Sequence, residues 1–133
     1  MDCLFCKIAG KEIPSNIVYE DESAVGFLDI HPSSPGHTVV IPKSHIADFL
    51  SIHDDTAAGK IFDAVKKTAA ILQRKLTPDG FTIGINNGKA AGQEIEHLHI
   101  HLIPRWADDS GLSVQGIVKN KKWSVEDIKK KIL

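Results

Sequence analysis

From His97 to Ile103 the chain reads His-Leu-His-Ile-His-Leu-Ile, with a histidine at every second position and an apolar residue between. A period of two is that of a β-strand, whose alternate residues share a face. The pattern predicts a strand over 95–103, ended by Pro104. Leu98, Ile100 and Leu102 would face a core. His97, His99 and His101 would share the other face, about 6.6 Å apart at their backbones.

The rest of the fold follows from local signals. Residues 17–20 and 24–28 are apolar stretches around the turn Asp21-Glu22-Ser23 and read as two strands. Pro32 to Gly36 is a loop by composition, and Thr38 to Ile41 is a β-branched strand stopped by Pro42. Ile61, Val65, Ala69, Leu72 and Leu76 make an apolar stripe along a helix over about 54–76, with Asp54 or Asp55 to cap it. Phe81, Ile83 and Ile85 alternate as a strand, and Asn86 to Gln93 is a glycine-bearing loop. A short helix begins after Ser124, with Asp127 as its capping-box partner. Strands in hairpin-like succession around one long helix make an α+β domain with a mainly antiparallel sheet and a short C-terminal helix. The 133 residues form one domain, with no repeat or linker to divide them.

A formal net charge of −1 gives no overall basic field, which argues against nucleic acid or a membrane surface as partner. Lys119, Lys121, Lys122, Lys129, Lys130 and Lys131 read as a solvated face near a helix C-terminus, where cations suit the dipole. No stretch approaches the roughly 20 apolar residues of a membrane span. The start, Met1-Asp2-Cys3-Leu4-Phe5-Cys6, lacks the pattern of a signal peptide. The expectation is a cytoplasmic protein whose two cysteines are reduced thiols or metal ligands.

Imidazoles change charge near neutral pH, and a neutral ring can attack phosphorus while a neighbour faces phosphate oxygens. Histidines two apart on a strand can also share a metal ion. The residues alone leave both readings open.

His97 to Ile103 resembles the signature of the histidine triad (HIT) superfamily. Phe27-Leu28-Asp29-Ile30, His37 to His45, and Gly92-Gln93 also look like that family in order and spacing. The likeness covers about residues 3 to 105 and is nearest to the Hint-like branch. It implies a single HIT domain and a homodimer whose sheets join into one. It implies a hydrolase or transferase acting on the α-phosphate of purine nucleoside phosphoramidates or dinucleoside polyphosphates through a nucleotidyl-histidine. By position, His99 is the nucleophile, His101 contacts the phosphate and His37 supports the triad. Asp29 would accept from the ribose hydroxyls, and Phe27 and Ile30 would line the base pocket. Asn86 and the backbone from Gly92 through Gln93 and Glu94 would hold phosphate.

Cys3-x-x-Cys6 is by itself a weak signal for a metal or redox pair. In the family, some members bind zinc through a cysteine pair, a histidine matching His45 and the first triad histidine, His97 here. The resemblance therefore implies structural zinc on Cys3, Cys6, His45 and His97. Residues 1–15 would be the zinc-binding segment, and residues 106–133 an extension beyond the short Hint-like form. Glu94 stands where many members have Ser or Thr. Strand parity puts it on the face opposite His97 and His99, and the expectation is a side chain turned to solvent with only its backbone N–H serving the phosphate. Two other functions stay in view: a hydrolase with a catalytic metal on the three histidines, and a nucleotide-binding interaction protein with little turnover.

Overall fold

The computed structural model describes residues 2–120 and 122–133, so Met1 and Lys121 of the basic cluster lie outside the described residues. Five strands form one antiparallel sheet in the order β1-β2-β3-β5-β4. They are β1 Ile17–Glu20, β2 Ala24–Leu28, β3 Thr38–Pro42, β4 Gly80–Gly84 and β5 Ile100–Arg105. The helices are α1 Leu4–Ala9, α2 Asp55–Leu76 and α3 Val125–Ile132. The expected α+β architecture with one long helix and a short C-terminal helix is the one observed. No helix among the described residues is long and apolar enough to cross a membrane.

Helix α2 starts where Asp54 accepts a hydrogen bond from the Ala57 N–H at 2.7 Å. It ends at Thr77 in the left-handed conformation, ahead of Pro78. Its Ile61, Ala64, Val65, Thr68 and Leu72 lie against one face of the sheet, where Ala24, Val40, Leu98, Ile100 and Leu102 complete the larger core. The stripe runs through Thr68 because its hydroxyl donates to the Ala64 carbonyl at 2.7 Å, which satisfies it without solvent. Gly26 of β2 lies beneath: a Cβ there would meet the Thr68 side chain at 3.0 Å, so Thr68 would have to give by a few tenths of an ångström. In α3, the expected capping box between Ser124 and Asp127 is present.

On the opposite face Val25, Phe27, Val39 and Ile41 pack against Phe5 and Ile8 of α1. Residues of β5 that point to this side, His101, Ile103 and Arg105, alternate with fully buried ones. The candidate functional groups sit on this second face.

Two expectations for the last strand are corrected. Pairing begins at Ile100, not at 95: the His97 N–H turns back to the Ile95 carbonyl at 2.8 Å, and the Leu98 N–H goes to the Ile46 carbonyl at 2.6 Å. The strand also runs past Pro104 to Arg105. Pro104 has a neighbour only in β4, because pairing with β3 ends at Leu102, and a strand residue without an N–H is tolerated at such an edge. Leu98, Ile100 and Leu102 are buried as the alternation required.

Candidate functional site

The first histidine leaves the other two. His97 is fully buried and its Nε2 lies 2.8 Å from the Pro42 carbonyl, which can only accept. The ring proton is therefore on Nε2, and the lone pair on Nδ1 faces Cys3 Sγ and Cys6 Sγ, each at 3.5 Å. His45 Nδ1 reaches Cys6 Sγ at 3.3 Å. One ligand atom from each of these four residues lies within 4.8 Å of all the others. Ligands at about 2.3 Å (sulfur) and 2.0 Å (nitrogen) around a tetrahedral zinc would stand about 3.5 Å apart. The spacing fits, and a carbonyl bracing the far nitrogen of His97 is what orients a metal-binding imidazole. Burial, with Cys3 next to it, pushes the Cys6 thiol up. The cysteines are free, with no disulfide between them.

His99 and His101 remain together, ring centroids 5.2 Å apart. The proton positions follow from backbone groups at the two ends. The Ser33 N–H can only donate, and it reaches His37 Nδ1 at 3.0 Å. A neutral His37 then carries its proton on Nε2 and gives it to His101 Nδ1 at 2.9 Å. His101 in turn presents Nε2–H as a donor. At the other end His99 Nδ1 lies 2.7 Å from the His97 carbonyl, so it donates there and leaves the Nε2 lone pair free. The arrangement can offer a nucleophilic nitrogen beside a neutral N–H donor.

Burial first, then the neighbouring His99 and His37, push His101 down to about 4. Burial also lowers His37, against a smaller opposing effect of Asp29. Both stay neutral at pH 7. The sign follows from linkage: the fold disfavours protonated His101, so its contribution to stability is full above about pH 6.5, the ordinary histidine value, and is lost as pH falls toward 4. Urea titrations between pH 7.5 and 4.5 should show the wild type losing more stability than His101→Asn. Parallel losses in the two proteins would contradict the assignment. Any metal released by acid is common to both, so the difference isolates His101.

The other expected site residues fall around this face. Asp29 follows β2. Its Oδ1 accepts the His31 N–H at 2.8 Å, and its Oδ2 is 3.7 Å from His37 Nε2, beyond hydrogen-bond range. It is therefore a turn residue that still offers acceptor capacity to a ligand. Phe27 is buried under Phe5, with ring centroids 5.6 Å apart, and Ile30 is 81% exposed at the rim. Asn86 shares a cleft of about 720 Å³ with His37 and His101, into which Leu112 and Val114 of the extension also face. Gly92 has φ +102°, a backbone only glycine adopts without strain, and Asn86 packs against it. Glu94 is exposed. Gln93 is occupied within the protein: its N–H goes to the Gly88 carbonyl and its side chain makes three further hydrogen bonds.

Phe5 is the residue that sequence reasoning missed. Its ring stands edge-on to His99 at 5.1 Å and to His97 at 6.0 Å, so α1 forms a wall of the site. The only local signal was the i, i+3 pair of Phe5 and Ile8, both buried. A catalytic metal on the three triad histidines is not supported. Among the described residues the groups of three or more that bring ligand atoms within 4.8 Å of each other are Cys3/Cys6/His45/His97 and Asp29/His37/His101. In the second group the Ser33 N–H keeps the His37 proton on Nε2, where a metal would bind.

Comparison with known proteins points one way. A sequence profile described as the HIT domain matches residues 10–108. An uncharacterized HIT-like protein of Methanocaldococcus jannaschii is 48% identical over 118 residues, 89% of this chain and 90% of its own. An adenosine 5'-monophosphoramidase of Schizosaccharomyces pombe is 38% identical over 114 residues, 86% of this chain and 82% of its own. The crystal structure of a zinc-bound histidine triad family protein from Mycobacterium smegmatis superposes with a TM-score of 0.76 at 39% identity, covering 83% of this chain and 79% of that one.

Proposed function

This chain belongs to the HIT family, and on that premise we propose that it hydrolyses purine nucleoside phosphoramidates or dinucleoside polyphosphates at the α-phosphorus through a nucleotidyl-His99 intermediate. The observation that carries the reading is the 2.7 Å contact of His99 Nδ1 with the His97 carbonyl, which leaves Nε2 as the nucleophile. In the first step the Nε2 lone pair forms a bond to phosphorus. The bond to the leaving nitrogen or bridging oxygen breaks, and the leaving group keeps that electron pair and takes a proton from water. Positive charge gathered on the ring is held at Nδ1–H by the His97 carbonyl. His101 Nε2–H donates to a phosphate oxygen. In the second step water attacks phosphorus, the nitrogen–phosphorus bond breaks back onto Nε2, and the water proton leaves to solvent with release of the nucleoside monophosphate.

The supporting residues take matching parts. Asp29 accepts from the ribose, Phe27, Phe5 and Ile30 face the base, and Asn86 with the loop after Gly92 faces the phosphate. Among the described residues no protein acceptor faces the Glu94 and Ile95 N–H groups. The adenosine 5'-monophosphoramidase relative favours an amine leaving group and adenosine. Adenosine and guanosine phosphoramidates and dinucleotides, assayed for monophosphate release, test the proposal. Release from none of them would defeat it. Glu94 enters only through its backbone, so Glu94→Gln should change kcat/KM by less than about tenfold, about 1.4 kcal/mol. A hundredfold loss with disappearance of an alkaline limb in the pH profile would make Glu94 a general acid instead.

Zinc is the metal that the Cys3, Cys6, His45 and His97 donors suit. Bound there it would neutralise the thiolates in a closed site and tie α1 to the segment ahead of β5. It offers no open position for substrate. The assembly we propose is a cytoplasmic homodimer. Strand β4 lies at one end of the sheet, and Ile83 on it and Phe62 on α2 are each 48% exposed, which is what a sheet-joining partner would cover. Light scattering should give the mass of two chains, and Ile83→Asp that of one. A one-chain mass for the wild type would rule the dimer out.

A further inference from the structure

We propose that Gln93 is a positioning residue, not a phosphate ligand: its side chain holds loop 86–95 against segment 45–49, and phosphate affinity depends on it through that loop. The inference rests on the reading of this loop as the phosphate-holding one. The Gly88 N–H donates to Gln93 Oε1 at 2.8 Å, while Gln93 Nε2 donates to the Ala47 carbonyl at 2.8 Å and the Ile95 carbonyl at 3.0 Å. One donor and two acceptors, all backbone, fix which end of the amide is oxygen, since the flipped amide would misplace all three bonds. Both amide protons are then in use. What remains is one lone pair on Oε1, and a lone pair cannot bind an anionic phosphate oxygen. Gln93 can touch phosphate as a donor only by releasing Ala47 or Ile95.

The loop needs such a tie. It turns at Gly88 and Gly92, with φ of +89° and +102°, where the backbone has the widest choice of conformations. A second amide fastens the same two segments: Asn87 Oδ1 accepts the Phe49 N–H at 2.7 Å. A backbone bond from Leu98 to the Ile46 carbonyl completes the seam. The segment so joined carries His45, two residues before Ala47, so the loop is referenced to the Cys/His cluster as well as to β5.

The test measures binding of AMP and of adenosine by calorimetry, with amide exchange at Gly88 in the absence of nucleotide. Gln93→Met keeps the side chain's size and removes all three bonds. It should weaken AMP by about tenfold, the scale of a lost hydrogen bond or two, and leave adenosine within about twofold. The Gly88 amide should exchange at least about tenfold faster. Asn87→Ala, on an exposed loop, should act in the same direction. The double variant should lose less than the product of the two single losses, because both ties hold one loop. Unchanged AMP affinity in Gln93→Met overturns the inference. So do independent, multiplicative losses with Gly88 exchange unchanged, which would mark a direct phosphate contact. A wild-type chain that binds neither AMP nor GMP would overturn the functional reading and the binding half of this one, while Gly88 exchange would still decide whether Gln93 holds the loop.

Discussion

His99→Ala should remove turnover by at least about a thousandfold, the usual scale for loss of a covalent nucleophile, while nucleoside monophosphate binding stays within a few-fold. The two effects separate because His99 spends Nδ1 on the His97 carbonyl and Nε2 on bond formation, and neither nitrogen is needed to hold the product. Base, ribose and phosphate would remain with Phe27, Asp29, Asn86 and the loop after Gly92. His101→Asn should cost less than His99→Ala, since the amide oxygen can still accept from His37 and the nucleophile itself is kept. Steady-state release of monophosphate together with calorimetric binding checks both. A fully active His99→Ala, or one that loses binding in proportion to turnover, would contradict the division of labour.

The second large effect is on stability. Protein purified without a tag should contain close to one zinc per chain by elemental analysis. Metal present at a thousand times its dissociation constant adds about 4 kcal/mol to the folded state, and structural sites bind more tightly than that. Cys3→Ala or Cys6→Ala should therefore lower Tm by more than about 10 °C. kcat/KM of the protein that stays folded should fall by less than about tenfold, because the two cysteines reach the rings of His45 and His97, while His97 holds His99 through its backbone carbonyl. A metal-free native protein of unchanged Tm, or a disulfide between Cys3 and Cys6, would refute the site.

Much of the fold was legible because its signals are local. The stripe through Ile61, Val65 and Leu72, the cap at Asp54 (one of the two aspartates expected) and the Ser124–Asp127 box need no tertiary knowledge and are observed, whereas Leu76, expected to end the stripe, is 39% exposed. The histidine strand was legible in part. The alternation correctly buries Leu98, Ile100 and Leu102, but strand pairing stops at Ile100 because the Leu98 N–H is taken by Ile46 and the His97 N–H by Ile95. The Ile46 contact comes from a distant part of the chain that no periodicity records, and the Ile95 contact is a local turn that the alternation does not show. Glu94 is exposed as expected, but parity is not the reason: a regular strand would put it on the buried face of Leu98 and Ile100, and the strand does not extend to it. Helix α1 was missed because six residues carry almost no propensity signal, and its Phe5 and Ile8 are held by Phe27 and the sheet. The full engagement of the Gln93 amide was equally hidden, since Ala47 lies 46 residues away.

The central claim is that a nucleotide passes through a covalent bond to one nitrogen of His99. Rapid quench of the wild type with an adenosine phosphoramidate, followed by peptide mass spectrometry, tests it most directly. An adenylyl group is expected on the peptide spanning Glu96 to Arg105, assigned to His99 by fragmentation and absent in His99→Ala. An adduct on His97, His101 or His37, or turnover with no adduct at any quench time, would contradict it.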